Sequence, residues 1–256
     1  GPLLALSKPP GLPILGPPGD LSLDALLPAL SRRLGLSAEL HVVKAPAREC
    51  SGLALLSGCY HTTKKLQQFF TNARRRGQYP ATYRAVTVGV PAEVEGEVRT
   101  GLCWQQQGDR AMVRGCQQSV GTGGTPGSAE GCALQVVPVP APGRRSLARK
   151  DVKSTLTCYR VLGAMGGCAL VQLQPRTAFP EQLQVHLTLL LCPALGDHEH
   201  SSRVGRVLGV PFLLSPETAP TRTQVLDEEL LSRLGLSPRQ LHHLPLHIHL
   251  QELLLP

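Results

Sequence analysis

Residues 82–90 read Thr82-Tyr83-Arg84-Ala85-Val86-Thr87-Val88-Gly89-Val90. Apolar and β-branched residues alternate along it at period two, which predicts a half-buried strand. Further strands are predicted over 154–162 and 168–174, joined through Gly163, Gly166 and Gly167. Upstream, Leu3-Leu4-Ala5-Leu6 predicts a short strand, stopped at Lys8-Pro9-Pro10-Gly11 because two prolines and a glycine cannot continue a ladder. Between these strands the apolar period lengthens. Helices are predicted over 20–34, with Ser22 as N-cap and Gly35 as stop, and over 62–75, with Leu66, Phe69 and Phe70 inward and Lys64, Lys65, Arg74 and Arg75 outward. Shorter ones follow at 180–191, 226–234 and 238–243. Strands and hairpins interrupted by non-equivalent helices predict an α+β fold with a mixed sheet, not a doubly wound one.

The chain has 256 residues, 42% of them hydrophobic, with 26 Gly and 23 Pro. That is enough for a core and too apolar for a disordered chain. No apolar run approaches the roughly 20 residues of a membrane helix. Residues 119–131 are loop-like, 138–143 proline-rich and 144–150 basic, so 103–150 is expected to be a surface insertion in one domain spanning 1–256. The eight cysteines form no C-x-x-C pair and are expected to be reduced thiols.

Of the net charge of +8, +7 falls in residues 1–90, which hold 11 basic and 4 acidic side chains. A localised basic region points to a polyanion. Lys64, Lys65, Arg74, Arg75 and Arg76 are its strongest feature, with Tyr79 and Tyr83 supplying stacking planes. Phosphate-loop and dinucleotide fingerprints are missing, since Gly121-Thr122-Gly123-Gly124 lacks the flanking strand and helix. The histidines at 198, 200, 242, 243, 247 and 249 have no Cys or Asp partner at ligand spacing, so no metal is expected.

Lys8-Pro9-Pro10-Gly11-Leu12 resembles the K-P-x-G-L turn of RluA-type RNA pseudouridine synthases. Residues 44–57 (KAPARECSGLALLS) resemble their H-R-L-D-x-x-T-S-G-L-L-L-L-A motif, and Ala81-Thr82-Tyr83-Arg84-Ala85 with Gly89 their K-x-Y-x-A-x-x-x-G strand. Residues 177–186 (TAFPEQLQVH) resemble T-G-R-x-H-Q-I-R-V-H, Pro193 to Asp197 resemble P-x-x-G-D, and Leu246-His247 with Pro256 the closing L-H-A…H-P strand. Six matches in order, with the 103–150 span outside them, identify the chain as similar to this family, most of all to its animal mitochondrial mRNA branch. The resemblance implies a pseudouridine synthase fold: a long, mainly antiparallel mixed sheet flanked by helices around a central RNA-binding cleft. It also implies a uridine-to-pseudouridine isomerase that needs no cofactor and acts as a monomer on mRNA or rRNA. The implied place is the mitochondrial matrix, beside other RNA-processing proteins, with the targeting segment absent from this chain.

The departures bear on activity. The family's catalytic aspartate falls at Ala47 and its arginine partner at Gln184, while Tyr83 matches the tyrosine that packs on the target base. A reaction that needs a carboxylate cannot run from alanine. Loss of both partners together is coherent, because an arginine buried without its carboxylate is costly. Glu49, two residues on, matches the family's second acidic position. Isomerase and catalytically inactive RNA-binding or assembly factor are therefore both open readings, with a scaffold for acidic proteins as a third.

Overall fold

The computed structural model describes residues 2–17, 19–107, 133–139, 143, 145–146, 152–216, 218–219 and 222–256. Among the described residues nine strands make one sheet: β1 (Leu3–Lys8), β2 (His41–Lys44), β3 (Ser51–Ser57), β4 (Ala81–Val88), β5 (Glu95–Gln107), β6 (Ala133–Val139), β7 (Lys153–Met165), β8 (Cys168–Pro175) and β11 (Ile248–Leu253). A separate hairpin is built from β9 (Val204–Val207) and β10 (Val210–Leu213). The helices are α1 (Leu23–Arg33), α2 (Tyr60–Arg75), α3 (Gln182–Leu189), α4 (Glu228–Leu234) and α5 (Pro238–Leu241). The large sheet runs β1-β3-β11-β4-β8-β7-β5-β6, with β2 also on β3. Its pairs among the described residues are antiparallel except β3 with β11, which is the mixed, mainly antiparallel sheet that the family resemblance implies.

Alternation along the strands sends residues to both faces, and helices cover both. Tyr83 and Ala85 of β4 join Val171 and Leu173 of β8 against Leu183 and Leu187 of α3. Val86 and Val88 point the other way, onto Leu230, Leu231 and Leu241 of α4 and α5. On β3, Ala54 and Leu56 meet Leu23 and Leu27 of α1, while Leu55 meets Leu66 and Phe70 of α2. Each fully buried leucine in these clusters contributes about 2 kcal/mol.

Ser22 caps α1 as expected, its Oγ accepting from Ala25 N at 3.2 Å. The helix predicted over 180–191 is shorter at both ends, because Glu181 and Leu191 have left-handed φ angles of 55° and 60°. The sheet reaches into the expected insertion, since residues 103–107 and 133–139 belong to β5 and β6, which pair with each other. The glycine-rich loop at 119–131 lies outside the described residues. Among the described residues no helix is long and apolar enough to cross a membrane.

Candidate active site

Three of the six quoted stretches line one cavity, and the other three hold the segments that carry its lining residues. Lys8 is fully buried, and its Nζ donates to the carbonyls of Pro9, Leu12 and Arg48 at 2.9, 2.9 and 3.0 Å. Burial pulls its pKa below the usual lysine range. Gly11 N also donates to Arg48 O at 2.8 Å, so the 8–12 turn is pinned to the loop that carries Ala47. Beyond that loop, Gly52 has φ 121° in β3 and lies against β11, where a Cβ would sit 2.8 Å from Leu250 Cα. Gly196 makes an equally close approach, 2.7 Å from the Pro245 carbonyl carbon for the same added atom. Both motif glycines thus let backbone touch backbone behind the cavity.

A cavity of about 140 Å³ is lined by Lys44 from β2, Ala47 and Cys50 from the β2–β3 loop, Phe70 and Arg74 from α2, and Tyr83 from β4. Its other wall is Phe179 to Glu181 and, in the first turn of α3, Gln184. The structure therefore brings Ala47, Tyr83, Gln184 and Arg74 together. Arg74, expected to face outward, instead reaches the cavity because it follows Phe70 by one helical turn beside the stripe that α2 buries. Lys64, Lys65, Arg75 and Arg76 lie off that stripe and do not line the cavity. The Lys64 ammonium sits 5.3 Å from the Tyr60 ring centroid instead. Tyr79 is engaged elsewhere, with Arg176 over its ring and its hydroxyl 3.2 Å from Cys158 Sγ. Glu49 is exposed, paired with Arg48 at 3.4 Å, and is not in the lining.

The protonation of the lining follows from its burial. Cys50 is pushed up to about 12 by desolvation, so at neutral pH it is a thiol and a poor nucleophile. Burial likewise raises Tyr83, which keeps its proton. Lys44 is lowered by burial first and by the neighbouring Arg74 second. Gln184 Nε2 donates to Asp197 Oδ1 at 3.4 Å, and that oxygen also accepts from Glu199 N at 3.1 Å and His200 N at 3.0 Å. His200 Nε2 donates to Glu181 Oε2 at 2.9 Å. Sequence reasoning missed Lys44 and Phe179 as lining residues, although both stand inside the quoted motifs, and it missed Glu181, whose backbone conformation and His200 partner no motif gives.

Among the described residues no group of three His, Cys, Asp or Glu side chains could hold a metal ion. His198 bonds Leu244 O and Gln224 N, His242 bonds Thr223, His247 bonds Pro245 O, and His249 bonds Ser51.

A family model described as RNA pseudouridylate synthase matches residues 2–189. The chain is 49% identical over its full length to human mitochondrial mRNA pseudouridine synthase RPUSD3, covering 66% of that protein, and 48% identical to the mouse protein, covering 68%. It is 31% identical to mouse mitochondrial pseudouridylate synthase RPUSD4 over 99% of its length, covering 60% of that relative. Among solved structures, human RNA pseudouridylate synthase domain containing 4 superposes with a TM-score of 0.66 at 27% identity, over 97% of this chain and 78% of that one. Fold, motif order and these likenesses agree, and the chain belongs to the RNA pseudouridylate synthase family.

Proposed function

We propose that this chain binds mitochondrial mRNA or rRNA in the mitochondrial matrix, takes one unstacked uridine into the cavity beside Tyr83, and isomerises it to pseudouridine. It does so as a monomer, alongside other RNA-processing proteins and without a cofactor. The observation that carries the reading is the shared lining: an aromatic ring, two cations and the two family positions Ala47 and Gln184 face one space. Tyr83 offers a stacking plane for a base, while Lys44 and Arg74 meet the phosphates that flank it. Lys64, Lys65, Arg75 and Arg76 extend the positive field along α2, where they steer RNA without touching the base. The names of the relatives, mitochondrial mRNA synthases among them, support the place and the RNA class.

Titration of the chain with fluorescent single-stranded RNA at several salt concentrations tests this. The affinity should fall with salt, and Arg74→Ala should flatten the log–log slope by about 0.7, the contribution of one phosphate contact. Salt-independent binding, or binding no better than that of a neutral protein, would overturn the proposal. One observation favours a second reading, in which the chain binds RNA without modifying it: no carboxylate stands at Ala47. Pseudouridine analysis of the bound RNA separates the two.

A further inference from the structure

Isomerisation of uridine must remove a proton from carbon 5 of the base, and the cavity needs a group able to take it. Ala47 has none, and Cys50 and Tyr83 hold their own protons. Among the described residues lining the cavity, Glu181 is the one carboxylate.

Its setting is built rather than incidental. Glu181 precedes α3 with φ 55° and ψ 11°, a left-handed conformation that costs a non-glycine residue about 1 kcal/mol or more. The Glu181 carbonyl accepts from Val185 N at 3.0 Å, but its side chain makes no cap hydrogen bond. Instead its Oε2 accepts from Nε2 of His200, a residue with no exposed surface. The backbone of His200 is fixed by Asp197 Oδ1, and the same oxygen accepts from Gln184. The side chain at the family's arginine position is thus tied, through Asp197 and His200, to a different carboxylate in the same cavity.

We propose that Glu181 is the catalytic carboxylate of this chain and that His200 is its positioning residue; this rests on the reading that the cavity receives uridine. The bond between N1 and C1′ breaks, the base turns, and C5 bonds to C1′. Glu181 takes the proton that C5 loses and returns it to solvent, while N1 takes one up from solvent. No electrons are exchanged and nothing is consumed.

The test uses transcripts of mitochondrial mRNAs made with [5-³H]uridine, following tritium release and RNA affinity in the full chain. Wild type should release tritium, and Glu181→Gln should lose at least about 100-fold of that rate with Kd within about threefold. Glu181→Asp should retain at least tenfold more turnover than Glu181→Gln, a comparison that still decides if the Gln variant binds RNA poorly. His200→Gln should lower kcat about tenfold and leave KM unchanged, as a group acting only through Glu181 would. Equal turnover by wild type and Glu181→Gln overturns the proposal, and so does a wild-type chain that binds RNA and releases no tritium. A chain that does not bind RNA overturns the underlying reading instead, and the proposal with it.

Discussion

Tyr83 separates what a ring does from what a hydroxyl does. Its aromatic plane lines the cavity between Phe70, Arg74 and Gln184, and its neutral phenol carries no charge for RNA to meet. Stacking of one base on such a ring is worth about 1–3 kcal/mol. Tyr83→Ala should therefore weaken RNA binding by roughly 5- to 150-fold, and Tyr83→Phe should change it less than about twofold. Equal losses in both variants, read by anisotropy titration, would show that the ring is not the contact. Ala47, Tyr83 and Gln184 were legible from the sequence because each sits at a fixed offset inside a motif. Arg74 was legible only as part of a basic run; its difference from Arg75 and Arg76 depends on which stripe of α2 is buried. Glu181 was not legible, since its standing depends on a left-handed backbone and on His200, 19 residues away.

At the scale of elements, the junction of β3 and β11 is tightly constrained. Here the sheet's one parallel pairing among the described residues brings Gly52 opposite Leu250. A methyl on Gly52 would meet Leu250 backbone on a strand that β4 holds from its other side, so the clash has little room to relax. Gly52→Ala should cost about 3 kcal/mol in urea unfolding, and RNA binding should fall with it because Ala47 lies on the loop entering β3. A variant as stable as wild type would mean that β11 can shift. The strands that carry apolar or β-branched alternation, β4, β7 and β8, were legible, as was α1 from its cap. β5 was not. Its inward residues are Val98, Thr100 and Leu102, but Gly96, Thr100 and Gly101 dilute the apolar signal. β2, with four residues, is too short for periodicity to register, and the β9–β10 hairpin leaves Val207, Val210 and Phe212 exposed, so no buried face marks it.

For the whole molecule, the basic first third and the buried polar groups set opposite limits. The charge is a property of the surface and is screened by salt, whereas His186 lies under the sheet at 1% exposure and answers to pH alone. Thr155 spends its hydroxyl proton on Thr100 O at 2.9 Å, so the 3.0 Å contact to His186 Nε2 requires that nitrogen to donate. The ring is then neutral, and a second proton would have to enter at Nδ1, which has no hydrogen-bond partner. Burial accordingly lowers the His186 pKa from 6.5 to about 4. Above pH 6.5 neither the folded nor the unfolded chain binds this proton, and its effect on stability is nil. Between 6.5 and about 4 the unfolded chain binds it and the folded one does not, so stability drops as pH falls through that window. The full loss is about 3 kcal/mol. Urea unfolding of wild type and His186→Asn at pH 7 and pH 4.5 isolates the term, because carboxylates elsewhere affect both proteins alike. Wild type should lose about 2–3 kcal/mol more than the variant over that interval. Parallel losses would mean that His186 finds a partner for Nδ1, and that the packing of α3 against β7 is looser than the hydrogen bond to Thr155 requires.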